Sequence, residues 1–146
     1  MESTLTNRSA VADWQGNVVE GSGSVTVGDG VFSGSYSYDS RFGEGGGTNP
    51  EQLIAAAHAS CFTMALSNLL SNDGHIPESL HTEAHIELRN IDGGPSLARS
   101  VLNTQGRVSG LDEETFRGYA EKAKELCPVS RALAGIPEIA LTAKLL

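Results

Sequence analysis

The chain has 146 residues, 39% of them hydrophobic, enough for a single domain (1–146) that buries roughly 70% of its unfolded surface. Its 10 Lys and Arg stand against 18 Asp and Glu, and the net charge of −8 opposes attraction to nucleic acid or an anionic membrane. No basic-then-apolar leader opens the chain and no stretch approaches the ~20 apolar residues of a membrane span, so a cytoplasmic protein with a small-molecule or protein partner is expected.

The first elements read as short strands. Val11–Trp14 precedes a Gly16-Asn17 turn, and Val25–Val27 and Val31–Ser33 flank Gly28-Asp29-Gly30, which predicts an antiparallel meander. Residues 39–48 are too glycine-rich for a strand or helix, yet they carry Arg41 and Phe42, so a functional loop is expected there. A helix then starts cleanly: Asn49 suits the N-cap, Pro50 the first helical position, and Glu51 the positive end of the dipole. It is predicted to run to about Leu70, with Gly74 as its stop and Leu53, Ile54, Ala57, Cys61, Met64, Ala65 and Leu69 facing the packed side.

Leu80–Leu88 alternates strictly, Leu80, Thr82, Ala84, Ile86 and Leu88 against His81, Glu83, His85 and Glu87, which predicts a half-buried strand. The His/Glu face lacks a third converging type of ligand and reads as a solvated surface rather than a metal site. Residues 90–95 form the expected turn, and Leu97–Val108 the returning strand. A second helix, capped near Asp112, packs Phe116, Tyr119, Ala120, Ala123 and Cys127 along one side. At Pro128 either that helix ends at Cys127, or Cys127 stands at the N-terminal edge of a short helix from Pro128 to Ala134. Ile139–Leu146 reads as a final strand.

Two cysteines without a secretory context suggest a redox pair, although composition alone favours two buried thiols acting as small hydrophobes. An ordinary thiol is only a few per cent ionised at neutral pH, so a reactive Cys61 in mid-helix needs a cation, and Arg41 is the candidate. Glu51 is placed to hold that guanidinium, against the simpler view of an exposed ion pair without chemistry. Ten residues separate Glu51 from Cys61, about 15 Å of helical rise, too far for both to serve one small substrate from the same helix. Two such helices packed antiparallel about a two-fold axis would remove the difficulty, and an obligate homodimer with interfacial sites is expected. His58 shares a helical side with Cys61, but no orienting carboxamide accompanies it, which favours a packed, hydrogen-bonded histidine over a Cys–His nucleophile. No CxxC or HxxxH spacing supports a metal at His58, Cys61 and Cys127.

The segments Tyr38–Phe42, Thr48–Ser67 and Ala123–Ser130 resemble the OsmC/Ohr superfamily of osmotically inducible and organic hydroperoxide resistance proteins. The OsmC branch is the nearer, with arginine in Ser40-Arg41-Phe42 directly before the helix and His58 where the Ohr branch tends to have tyrosine. The resemblance implies an α+β fold with antiparallel sheets around long central helices, in an intertwined homodimer. It implies a thiol peroxidase with an antioxidant, stress-response role and no cofactor, which turns organic hydroperoxides, and hydrogen peroxide more weakly, into alcohols or water. Cys61 would be the peroxidatic cysteine, Cys127 the resolving cysteine, and Arg41 and Glu51 the activating pair. Their disulfide requires Cα atoms within ~4.4–6.8 Å. A dithiol reductant, lipoyl-linked by the family's habit, would reset the pair. Phe42, Phe62 and Met64, with His58 near them, are expected to wall a pocket that favours organic peroxides. The glycines at 43 and 45–47 depart from the family pattern around Arg41. The rivals are a redox sensor with slow turnover and a Cys61/His58 acyl hydrolase.

Overall fold

The computed structural model describes residues 3–146, which divide into two compact units, one up to Pro50 and one from Glu51 to Leu146. In the first, β1 (Ala10–Gln15), β2 (Ser22–Val27) and β3 (Phe32–Tyr36) form the expected antiparallel meander, with Ala10 opposite Val27 and Gly23 opposite Tyr36. Trp14 and Tyr36 pack ring to ring at 5.2 Å.

The glycine-rich segment holds more structure than its composition suggests. Tyr38–Phe42 is a short helix, α1, started by a capping box in which Ser37 Oγ accepts the Ser40 N–H and Ser40 Oγ accepts the Ser37 N–H. Ser40 is buried, its hydroxyl donates to the Thr48 carbonyl at 2.8 Å, and the Asn49 amide donates to the Ser40 carbonyl at 2.9 Å. The glycines begin only at Gly43, so the five residues that carry Arg41 keep ordinary helical dihedrals, and the loop behind them is tied back by Gly43 N–H to Asp39 O at 2.8 Å. Arg41 therefore rides on a capped helical turn rather than on an open loop.

The second unit is built on α2 (Pro50–Asn72). Pro50 opens it as expected, and Gly74, in the left-handed region, closes it: the His75 N–H reaches Leu70 O at 2.9 Å and the Gly74 N–H reaches Ser71 O at 3.0 Å. The buried stripe is His58, Phe62, Leu66 and Leu70, one residue round from the predicted face. Cys61, Ala65 and Leu69 flank it half-buried, whereas Ala57 and Met64 are exposed. The reason is that α2 is apolar on nearly every side, so periodicity marks no unique inner face. Its length and mean hydropathy of 1.5 match a membrane span by composition, which the sequence expectation had excluded; only 22% of that apolar window is buried within the chain.

Strand β4 (Ser79–Ile91) follows with the predicted alternation, His81, Glu83 and His85 outward, and pairs antiparallel with β5 (Gly94–Arg107). The turn between them is shorter than expected. Only Asp92 and Gly93, both at positive φ, leave the ladder, and Asn90, Ile91, Gly94 and Pro95 are paired. The register shifts beyond Glu87, where Leu88 faces Leu97 and Glu87 faces Arg99.

From β5 the chain crosses through α3 (Glu113–Leu126) and α4 (Pro128–Ala132) to β6 (Glu138–Leu145), which lies parallel to β5. This sheet, ordered β4-β5-β6, is mixed where an antiparallel one was expected, because the crossover returns β6 to the end of β5 at which that strand began. Asp112 caps α3 by accepting the Thr115 N–H at 2.7 Å, and Phe116, Ala120 and Ala123 are buried on the predicted side. Phe116 lies over Gly106, where a Cβ would come within 2.5 Å of the ring, so only glycine fits there. Phe62, Leu66 and Leu70 meet Leu102, Phe116, Ala120, Ala123, Ala143 and Cys127 in one core.

Candidate active site

Cys61 sits half-buried in the middle of α2, and Cys127 is fully buried at the joint between α3 and α4; neither is in a disulfide. Cys127 satisfies both sequence alternatives at once. Its N–H donates to Ala123 O at 2.9 Å as the last bond of α3, and its own carbonyl accepts the Arg131 N–H at 3.1 Å as the first of α4. Pro128 produces this joint, since it has no N–H to continue α3 and its fixed φ suits the first position of a new helix.

The joint carries Cys127 into the core cluster against which Cys61 packs, and the two thiols lie near enough for Cys127 to raise the Cys61 pKa. The backbone N–H of Val129, one of the donors left without an intrahelical acceptor at the start of α4, lies close enough to the Cys61 sulfur to affect its pKa. Burial pushes the Cys61 thiol above its ordinary pKa and the neighbouring Cys127 adds to the rise, while the Val129 amide pulls in the opposite direction. Within its own unit Cys61 is thus a protonated thiol beside a second thiol. One of the two sequence alternatives placed Cys127 at the start of the short helix, and neither singled out Val129. The signal was present in the proline, which leaves the next amide without an intrahelical acceptor.

His58 is fully buried, with Nδ1 2.7 Å from Ser100 Oγ on β5 and Nε2 2.8 Å from Ser130 Oγ on α4. Burial lowers its pKa and favours the neutral ring. Both ring nitrogens are occupied by serines, so His58 is not poised as a base on Cys61 and the hydrolase alternative loses its general base. Nothing in the sequence marks Ser100 or Ser130, because their partner lies 42 and 72 positions away along the chain.

The remaining predicted residues fall in different places. Phe62 and His58 are core side chains with no accessible surface and do not wall a pocket. They occupy the inner stripe of α2 rather than its flank. Met64 lies on the outer side of α2, 75% exposed. Glu51 stands in the first turn of α2. In the first unit, Arg41 lies with its guanidinium 5.3 Å from the Phe42 ring centre, and both border an apolar cavity of about 260 Å³ with Trp14, Val18, Tyr36 and Tyr38. Among the described residues no group of three or more His, Cys, Asp or Glu side chains converges as a metal site.

The family described as OsmC-like protein matches residues 43–142. Peroxiredoxin OsmC of Escherichia coli strain K12 is 42% identical over 123 residues, 84% of this chain and 86% of that protein. An organic hydroperoxide resistance protein of Xanthomonas axonopodis pv. citri is 33% identical over 99 residues, 67% of this chain and 68% of its own. The crystal structure of the organic hydroperoxide resistance protein OhrB of Bacillus subtilis superposes with a TM-score of 0.72 at 26% identity, covering 98% of this chain and all of that one.

Proposed function

The chain belongs to the OsmC-like protein family, and from that membership we propose that it is a cysteine-based peroxidase that reduces organic hydroperoxides through Cys61 and Cys127. The observation that carries this is the proximity of the two free thiols, one on a core helix and one at a helix joint, in the same packed cluster. The Cys61 thiolate attacks one peroxide oxygen, the O–O bond breaks, the alcohol leaves, and Cys61 becomes a sulfenic acid. The Cys127 sulfur then attacks Cys61, water leaves, and a disulfide forms. A dithiol reductant exchanges with that disulfide and returns both thiols.

Burial holds Cys61 protonated, so the reaction needs a positive charge at the sulfur, and Arg41, oriented by Glu51, supplies it in this proposal. The apolar cavity beside Arg41 and Phe42 suits the organic part of the substrate. In a reducing cytoplasm the disulfide would be a transient of the cycle.

Treatment with one equivalent of cumene hydroperoxide is expected to lower the mass of the intact protein by about two units as the disulfide forms. A dithiol should restore it and sustain repeated consumption of peroxide. A single oxidation without turnover would mark a sensor instead, and no mass change would end the proposal.

The working unit in this proposal is a homodimer. Only 22% of the apolar window of α2 is fully buried within the chain, and a second copy packed along the helix would cover its half-buried and exposed apolar residues and bring Glu51 of one α2 toward Cys61 of the other. Sedimentation should give twice the mass of the chain at micromolar concentration. An active monomer would exclude shared sites.

A further inference from the structure

We propose that His58 is a positioning residue for the resolving step, a crosspiece that holds α4 against α2 so that Cys127 stays in reach of an oxidised Cys61. The inference rests on the peroxidase function proposed above. Five residues make a helix too short to persist by itself, and Ser130 is the only buried side chain of α4. That one buried hydroxyl is bound to His58 Nε2 at 2.8 Å, and the other face of the ring is fixed to the central strand through Ser100 at 2.7 Å. His58 lies three residues before Cys61 on α2, and Ser130 three residues after Cys127. The ring therefore holds the middle of α4 at Ser130, while the thiol contact and the Val129 amide lie at its start.

A neutral imidazole has one N–H and one lone pair, and a serine hydroxyl either donates or accepts, so both bonds are satisfied in either tautomer. Such a fully paired buried network is rigid, and removal of one member leaves a buried polar atom without a partner. The lowered pKa of His58 keeps the neutral ring in place at pH 7.

The step at stake is the condensation of Cys61 sulfenic acid with the Cys127 thiol, in which the S–S bond forms, the S–O bond breaks and water leaves. Its competitor is a second hydroperoxide, which transfers an oxygen to the sulfenic acid, leaves as an alcohol and produces a sulfinic acid. The closer Cys127 is held, the smaller the share lost to the competitor.

The test uses the full chain with both cysteines intact. Glutamine places its amide where Nε2 lies and asparagine where Nδ1 lies, so His58→Gln retains the bond to Ser130 and His58→Asn only that to Ser100. These two, with Ser130→Ala and Ser100→Ala, are mixed with excess cumene hydroperoxide, quenched at intervals and weighed. His58→Asn and Ser130→Ala should form the disulfide about tenfold more slowly and accumulate the sulfinic acid, about 32 mass units heavier, while the first oxidation stays within about twofold of wild type. His58→Gln and Ser100→Ala should partition as wild type does. Melting temperatures are measured alongside. Partition that follows lost stability across all four variants, or is unchanged in His58→Asn and Ser130→Ala, overturns the assignment. Should His58→Asn fail to fold, Ser130→Ala decides by the same readout. If the wild type itself forms no disulfide, the peroxidase function fails first and this role goes with it.

Discussion

Cys127→Ser is expected to undergo one oxidation at Cys61 and then stall. Serine keeps the size and a hydroxyl at a fully buried position, so the α3–α4 joint stays in place, but it has no sulfur with which to displace water from the sulfenic acid. Dithiol-driven consumption of peroxide should fall by about 100-fold, and mass spectra should show oxygen retained on Cys61 in place of the two-unit loss. Cys61→Ser should show neither oxidation nor turnover, because the reacting atom itself is gone. The contrast between the two variants is the informative result, since two merely packed thiols would oxidise alike. Wild-type turnover in Cys127→Ser would remove the resolving role.

Arg41→Met should slow the first oxidation by about 100-fold at pH 7 and steepen its dependence on pH. The sign follows from the environment of Cys61. Burial and the neighbouring thiol raise its pKa, so without a cation the thiolate is a minor species throughout the neutral range. The variant's rate should therefore climb about tenfold for each pH unit from 7 to 8.5. On the proposed role of Arg41, the wild type should level off at lower pH. Arg41→Lys should lie between the two, because lysine supplies the charge but not the planar fork that a carboxylate can orient. Stopped-flow rates with cumene hydroperoxide between pH 6 and 9 would decide. Parallel profiles for wild type and Arg41→Met would exclude the arginine.

Elements specified by neighbours in the chain were legible in the sequence. The meander of β1 to β3, the proline start and glycine stop of α2, the alternation of β4 and the buried side of α3 all rest on contacts a few residues long. Where neighbours underdetermine the outcome, the sequence was ambiguous. The all-round apolarity of α2 hid its inner stripe, and Ser37 with Ser40 started a helix in a segment that glycine content had marked as loop. The direction of β6 depends on where a crossover delivers it, which no local pattern records. The two cysteines and Arg41 were singled out by chemistry and by resemblance. Val129, Ser100 and Ser130 were not, because they act through a backbone amide and two ordinary hydroxyls whose partners the fold alone brings near.

The parallel pairing of β6 with β5 also sets an order of assembly. The stretch that carries Cys127 is the bridge between those strands, and α3 packs on β6, so the bridge docks fully only once the last strand has joined the sheet. On the ribosome the eight-residue β6 emerges after the stretch that carries Cys127. The two sulfur atoms thus become full partners only after β6 has been made, and the growing polypeptide is spared a premature crosslink while that strand is still missing.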